Sequence, residues 1–214
     1  MPPSDRRTKE KAAVRQRILD GAQRVFVRDG AARFSIRRVA TEIDYSPGTL
    51  YLYFKDKNAL LLALHQEALR CKGESLLPLL EIKDPLERIK AMGREYIAHG
   101  LRHPDEFRLM FVMPAPMDVL DRLDLDWRLG QSGFTILIQT LQEAVDAGQL
   151  APDTDTHTLG ILLWSTVHGL TMLHLSQRLV MLSETEQRDI QERVLARLNQ
   201  FLLTPRNTPP DVAS

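Results

Sequence analysis

The stretch "SPGTLYLYFKDK", residues 46–57, places three hydroxyl side chains, Thr49, Tyr51 and Tyr53, and the amine of Lys57 around an apolar Leu52. Ser46 and Pro47 open a helix there, one as N-cap and the other at the first helical position, where its missing N–H costs nothing. At 100° per residue, Pro47, Leu50 and Phe54 fall within about 60° of one another and form an inward face. Gly48, Thr49 and Leu52 point the other way, with Tyr51 and Tyr53 on the flanks. Such a helix suits a groove better than water. In the DNA major groove Thr49 would bond a base edge, Leu52 would meet a thymine methyl and the tyrosines would reach phosphates. The N–H groups of Gly48 and Thr49 favour an anion. The opposing reading, that the tyrosines are ordinary core aromatics, requires Leu52 to be buried in its own chain.

Two other constellations have chemical potential. His99 and His103 stand at i, i+4 beside Asp105 and Glu106, a spacing compatible with a metal. Pro104 ends the helix there and no third ligand is fixed, so no metal is expected. "WSTVHGL", Trp164 to Leu170, sets an indole, an imidazole and a glycine along one helix, where a hydrogen-bonded core histidine is the plainer explanation. There is no nucleophile elbow, phosphate loop or supported carboxylate pair, so neither an enzyme nor a cofactor is expected.

The chain has 214 residues, 43% of them hydrophobic, and zero formal net charge. That balance conceals an asymmetry. Residues 1–60 hold 13 Lys and Arg against 7 Asp and Glu, a surplus of +6, and the remainder carries −6. A basic N-terminal module with an anionic partner, followed by an acidic body, accounts for it. A single cysteine, Cys71, excludes an intramolecular disulfide and fits a reducing compartment. No uninterrupted apolar run reaches the ~18 residues of a membrane span, and the N-terminus lacks a signal-peptide core, so a cytoplasmic protein is expected.

Apolar residues recur at three and four residues nearly throughout, so the fold class is all-α, with about nine helices. Residues 1–10 read as a flexible basic arm and 204–214 as a disordered tail. A helix at 11–29 carries Val14, Ile18, Ala22, Val25 and Phe26 on one stripe and stops at Gly30. A second begins at Ser35 with Ile36, Val39, Ala40 and Ile43 facing inward. The "SPGT" helix is third, and Asp56 caps a fourth with Leu60, Leu61, Leu64 and Ala68 inside. Prolines divide the rest into helices near 85–102, 105–113, 118–147, 155–177 and 184–203. Two short helices across a tight turn make a helix-turn-helix over 11–57, leaving 58–203 as a second domain.

The stretch "FSIRRVATEIDYSPGTLYLYFKDKNALLLAL", residues 34–64, resembles the DNA-binding signature of the TetR/AcrR family of transcriptional regulators, and with Val25, Phe26 and Gly30 the resemblance spans about 11–64. It implies that Ser35 and Arg37 contact DNA, that Ser46, Pro47, Gly48, Thr49, Tyr51, Leu52 and Tyr53 supply the recognition surface, and that Lys57 grips a phosphate. Arg38 has no comparable role. The turn departs from the family's usual Gly-Val by having Asp44-Tyr45. Asp tolerates a left-handed backbone; Tyr45 either packs inward or leans toward DNA. "WSTVHGL" is similar to a Trp-His-Gly signature of one subgroup of the family.

The resemblance further implies a C-terminal helical domain for ligand binding and dimerisation. Methionines mixed with aromatics suggest an adaptable apolar pocket from Met92, Tyr96, His99, Phe107, Met110, Phe111, Met113, Trp127, Phe134, Trp164 and His168. Residues 159–173 are apolar nearly all round and need cover on every side. A two-fold interface of the last two helices would supply it, through Leu170, Leu173, Ile190, Val194, Leu198 and Phe201. The expectation is a homodimeric repressor released from a pseudo-palindromic double-stranded DNA operator by a small-molecule effector. The alternative is a helical ligand- or metal-binding protein or hydrolase that does not bind DNA.

Overall fold

The computed structural model describes residues 3–111 and 133–203. Among them every regular element is helical: α1 (Pro3–Arg33), α2 (Ile36–Glu42), α3 (Pro47–Tyr51), α4 (Lys57–Glu74), a 3-10 turn (Leu77–Glu81), α5 (Pro85–Arg102), α6 (Pro104–Phe111), α7 (Gly133–Asp146), α8 (Thr156–Leu175) and α9 (Glu184–Leu203). The all-α expectation holds. Met113, Trp127 and the tail at 204–214 lie outside the described residues, as does the side chain of Phe201.

The packing divides the chain into two units: one runs to Cys71 and takes in α6, and the other comprises residues 72–103 with α7, α8 and α9. The break therefore falls fourteen residues beyond the 57/58 boundary read from the sequence. α6 joins the first unit because Leu109 and Met110 are buried in its core and Phe111 packs against it.

In the first unit, α1 starts at Pro3, so the expected arm is helical for most of its length. Residues 6–10 are exposed and carry an Arg6–Glu10 pair at 3.3 Å. Further on, Ile18, Leu19, Ala22, Val25 and Phe26 face the core. Gly30 has φ 71° and ψ 171°, a conformation essentially confined to glycine, and bends the chain out of the helix. Ser35 then caps α2, its Oγ accepting from Arg38 N at 3.3 Å. α2 buries Ile36, Val39 and Ala40. At Gly21 α1 lies close against the residue that ends α2: a Cβ there would sit 2.3 Å from Ile43 Cγ2.

In the second unit, Asp84 caps α5 by accepting from Glu87 N at 3.1 Å, with Pro85 in the first turn. α5 is strongly two-sided and packs on α7 and α8 through Leu86, Ile89, Met92, Ile136, Leu137, Leu141 and Leu163. The buried Arg88 is satisfied by Ile82 O at 2.9 Å and Glu143 at 2.6 Å. Asp155 caps α8, accepting from His157 N and Thr158 N at 3.1 Å each. α8 is long and apolar enough in composition to cross a membrane (mean hydropathy 1.2), yet Leu163, Val167, Leu170 and Thr171 are buried in this unit. Only 28% of its apolar stretch is buried within the chain.

Gly21→Ala gains about 1 kcal/mol of helix propensity but overpacks against the branched Ile43, at a cost of about 1 to 3 kcal/mol. Urea unfolding is expected to show a net loss; a net gain would mean that Ile43 moves aside freely.

Candidate functional site

The helix-turn-helix is built from local bonds. Asp44 takes φ 57°, the left-handed value its short polar side chain tolerates, and Tyr45 N donates to Ala40 O at 2.9 Å. Tyr45 packs against the first core, its ring under the Arg17 guanidinium at 5.3 Å. That settles its position toward the inside. Ser46 Oγ accepts from Thr49 N at 3.1 Å and lies 2.9 Å from the Thr49 hydroxyl, so the cap also holds the Thr49 rotamer.

α3 is anchored by Leu50 and Phe54, at 0% and 4% exposure. Leu52 is 79% exposed, which removes the reading that this helix serves only the core. Tyr51 is exposed beside it and Tyr53 is half-buried against the core. Pro47, expected to face inward, is exposed with Ser46 and Gly48: at the first turn of so short a helix it lies beyond the reach of the core.

Around this face the arginines differ. Arg24 and Arg28 hold Glu42 at 3.0 and 2.6 Å, and Arg38 holds Asp29 at 2.9 Å. Hydrogen bonds from Arg28, then from the other arginines, keep the Asp29 and Glu42 carboxyls below their usual range. These exposed pairs add little stability and fix side-chain positions instead. Arg37 is exposed at the start of α2, and Ser35 is half-buried as its cap. Lys57 donates to Ala31 O at 3.3 Å, which ties the start of α4 to the end of α1.

In the second unit the expected pocket residues separate. Phe107, Met110 and Phe111 belong to α6 and the first unit. Met92 is core. Tyr96, Phe134, Trp164 and His168 converge: Trp164 Nε1 donates to Tyr96 Oη at 3.0 Å, and Tyr96 Oη lies 2.9 Å from His168 Nδ1. Indole is a donor only, so the phenol accepts from it, and the direction of the Tyr96–His168 bond follows the tautomer of the imidazole. Burial holds the phenol's pKa up and that of His168 down. The Phe134 and Trp164 rings are 5.7 Å apart.

His99 is 4% exposed, and burial, reinforced by Lys72, His103 and Arg102, pushes its pKa down to about 4. Its ring lies 4.8 Å from that of His103, and no group of three metal-ligating side chains converges among the described residues. Sequence reasoning missed Lys72, which is 7% exposed with Nζ 4.9 Å from the Tyr96 ring centre. The signal was present: Leu60, Leu64, Ala68 and Lys72 continue one stripe at i+4.

The dimer candidates also divide. Leu170 is buried inside its own unit and is not available to a partner. Ile190, Val194 and Leu198 are half-buried against the same cores. Leu173 is exposed, as are Ile161 and Leu162, which the sequence reading passed over. Leu162, Ser165, Gly169 and Leu173 stand at i, i+3, i+7 and i+11 on one open face, and a Cβ at Gly169 would meet nothing within 4 Å.

A capped helix-turn-helix beneath an open apolar-hydroxyl surface, joined to a separate helical unit, defines the architecture of a bacterial transcription regulator. Residues 18–64 match the family model described as bacterial regulatory proteins, tetR family, and residues 89–198 match the tetracyclin repressor-like C-terminal domain. The chain belongs to the tetR family.

Among curated relatives, it is 43% identical over 56 residues to the HTH-type transcriptional repressor Rv1474c of Mycobacterium tuberculosis, covering 26% of this chain and 30% of that one. It is 24% identical to the HTH-type transcriptional regulator UidR of Escherichia coli K12, over 75% of this chain and 81% of that one. The chain spans less than half the length of the first four curated relatives it matches. Similar solved structures include a protein of unknown function from Rhodococcus sp. RHA1, with TM-score 0.72, 20% identity and coverage of 89% and 95% of the two chains. The regulator FadR from Bacillus subtilis, in complex with stearoyl-CoA, gives TM-score 0.69, 17% identity and coverage of 86% and 96%.

Burial pushes the Lys72 amine from 10.5 down to about 8. Below pH 8 the folded and unfolded chains both carry this proton, and the burial penalty is complete. Between about pH 8 and 10.5 the unfolded chain holds more protons, so stability rises with pH. Lys72→Met is expected to be more stable than the parent at pH 7, by up to about 3 kcal/mol. The gap should shrink toward pH 10 in urea titrations; a constant gap would contradict a buried ammonium.

Proposed function

We propose that this chain is a homodimeric, sequence-specific DNA-binding repressor whose affinity for a pseudo-palindromic operator is lowered by a small-molecule effector. The observation that carries the reading is the exposure of Tyr51 and Leu52 on a helix whose opposite side, Leu50 and Phe54, is fully packed. An exposed leucine between hydroxyls, beside the exposed Arg37, has the composition of a major-groove surface. Ser35, Ser46, Pro47, Gly48, Thr49 and Tyr53 complete it, with Lys57 toward a phosphate after leaving Ala31 O. The name of the Mycobacterium tuberculosis relative supports repression.

The open face of α8 supports a two-fold contact with a second copy, since leucines flanking Ser165 and Gly169 allow two helices to approach closely. Two recognition helices would then meet successive major grooves about 34 to 36 Å apart. An effector in the second unit that favours another conformer spoils this spacing. Chains of the same fold solved with stearoyl-CoA and with resorcinol support a small-molecule effector. The spacing of Trp164, His168 and Gly169 supports a Trp-His-Gly subgroup. No observation favours a DNA-free carrier or hydrolase.

Selection of bound sequences from random DNA is expected to yield an inverted repeat. Thr49→Ala and Leu52→Ala should each weaken binding to that site by about 1 to 3 kcal/mol. Lys57→Ala should weaken binding to any sequence and flatten its salt dependence. Recovery of no preferred sequence would overturn the regulator reading.

Sedimentation is expected to show a dimer, and Leu162→Arg with Leu173→Arg to convert it to a folded monomer. A dimer that persists in the double variant would exclude the α8 face as its seam.

A further inference from the structure

Three buried polar atoms in the second unit have no hydrogen-bond partner among the described residues; besides Gln149 Oε1 they are Lys72 Nζ, at the end of α4, and His99 Nε2, on α5. The last two belong to the most buried side chains, each more than nine-tenths buried. Leaving such groups unpaired is costly, and the cost is highest for an ammonium. The Tyr96 ring beneath Lys72 offsets part of it through its π face but gives the ammonium hydrogens no lone pair.

The neighbouring charges do not resolve the deficit. Glu95 attracts Lys72, but its carboxylate binds Arg102 at 2.8 and 3.0 Å and makes no hydrogen bond to Lys72 Nζ. Arg102 itself repels both Lys72 and His99. The local field is therefore positive, and both unpaired groups can donate, His99 in the tautomer with its hydrogen on Nε2. A metal ion is excluded by the ammonium. A neutral carbonyl would leave the positive charge uncompensated. A carboxylate has one negative charge and two acceptor oxygens, one for each donor. Tyr96 is pinned by Trp164 and His168, and Phe134 stacks near Trp164, so the surroundings are aromatic.

We propose that the effector is an apolar carboxylic acid whose carboxylate is held by Lys72 Nζ and His99 Nε2, with its apolar body against the Tyr96 and Trp164 rings. This rests on the effector-responsive reading above. Binding occurs because the ligand supplies the counter-charge that the folded chain lacks, and esters or amides of the same acids forgo that gain.

The test is calorimetry on the full chain with 1-naphthoate and octanoate, each against its amide. At least one acid is expected to bind, roughly tenfold or more tighter than its amide. Lys72→Met should abolish that preference, and His99→Leu should reduce it. Because Lys72→Met removes an unpaired buried charge, folding is not at risk; His99→Leu tests the site independently. Failure of both acids to bind at millimolar concentration, equal binding of acid and amide, or parental acid affinity in Lys72→Met would each overturn the assignment. The same acids are added to complexes with the selected DNA. An acid that binds at Lys72 but leaves DNA binding unchanged refutes the effector reading and keeps the site. An acid that fails to bind a chain competent for DNA refutes the site alone.

Discussion

The burial of Leu50 and Phe54 is the constraint on which the surface proposed to face DNA depends. A helix of five residues cannot sustain itself, because nucleation costs more than its few hydrogen bonds return. α3 exists because Leu50 within it and Phe54 just beyond its end complete the core shared with α1, α2 and α4. Once they are fixed, the 3.6-residue period leaves Leu52 and Tyr51 outward. The Ser46 cap, the left-handed Asp44 and the inward Tyr45 then set how the chain enters the helix. An exposed leucine is thereby held in place by packing on the other side of the same two turns.

The second unit departs from ideal packing at two places, and both coincide with proposed functions. α8 leaves much of its apolar surface uncovered within one chain. Lys72 and His99 place unpaired donors in a buried setting where Trp164 and His168 both bond to Tyr96 Oη. A sequence in which caps, stripes and turns otherwise agree usually violates such rules at sites that serve binding. In both cases the missing interaction is of a kind that another molecule can provide: apolar surface for α8, and one negative charge for Lys72.

Much of this organisation was legible before the structure. Ser35, Ser46 and Asp56, read as N-caps from the sequence, behave as such because capping is a local bond spanning two or three residues. The stripe of α1, the inward Leu50 and Phe54 and the outward Leu52 followed from periodicity. The split of charge at residue 60 matched a basic unit in sign, although the unit itself extends to Cys71 and includes α6. Where local reading stopped short, the reason was distance along the chain. Phe107, Met110 and Phe111 are carried by α6 into the first unit, a placement that local spacing does not encode. Leu170 looks like a dimer contact until Ile97 and Leu195 are found around it.

The sequence alone determined where the capped helices α2, α3 and α4 begin, which helix faces are apolar and that Leu52 faces outward, because these follow from hydrogen bonds and side-chain directions within a few residues. Only tertiary structure decided which unit α6 joins, which side of α8 is left open, that Tyr45 turns inward, and that Lys72 is buried over Tyr96 without an acceptor. Those outcomes depend on contacts between segments far apart in the chain, where the competition is for shared volume and for counter-charge, and neither is encoded in local spacing.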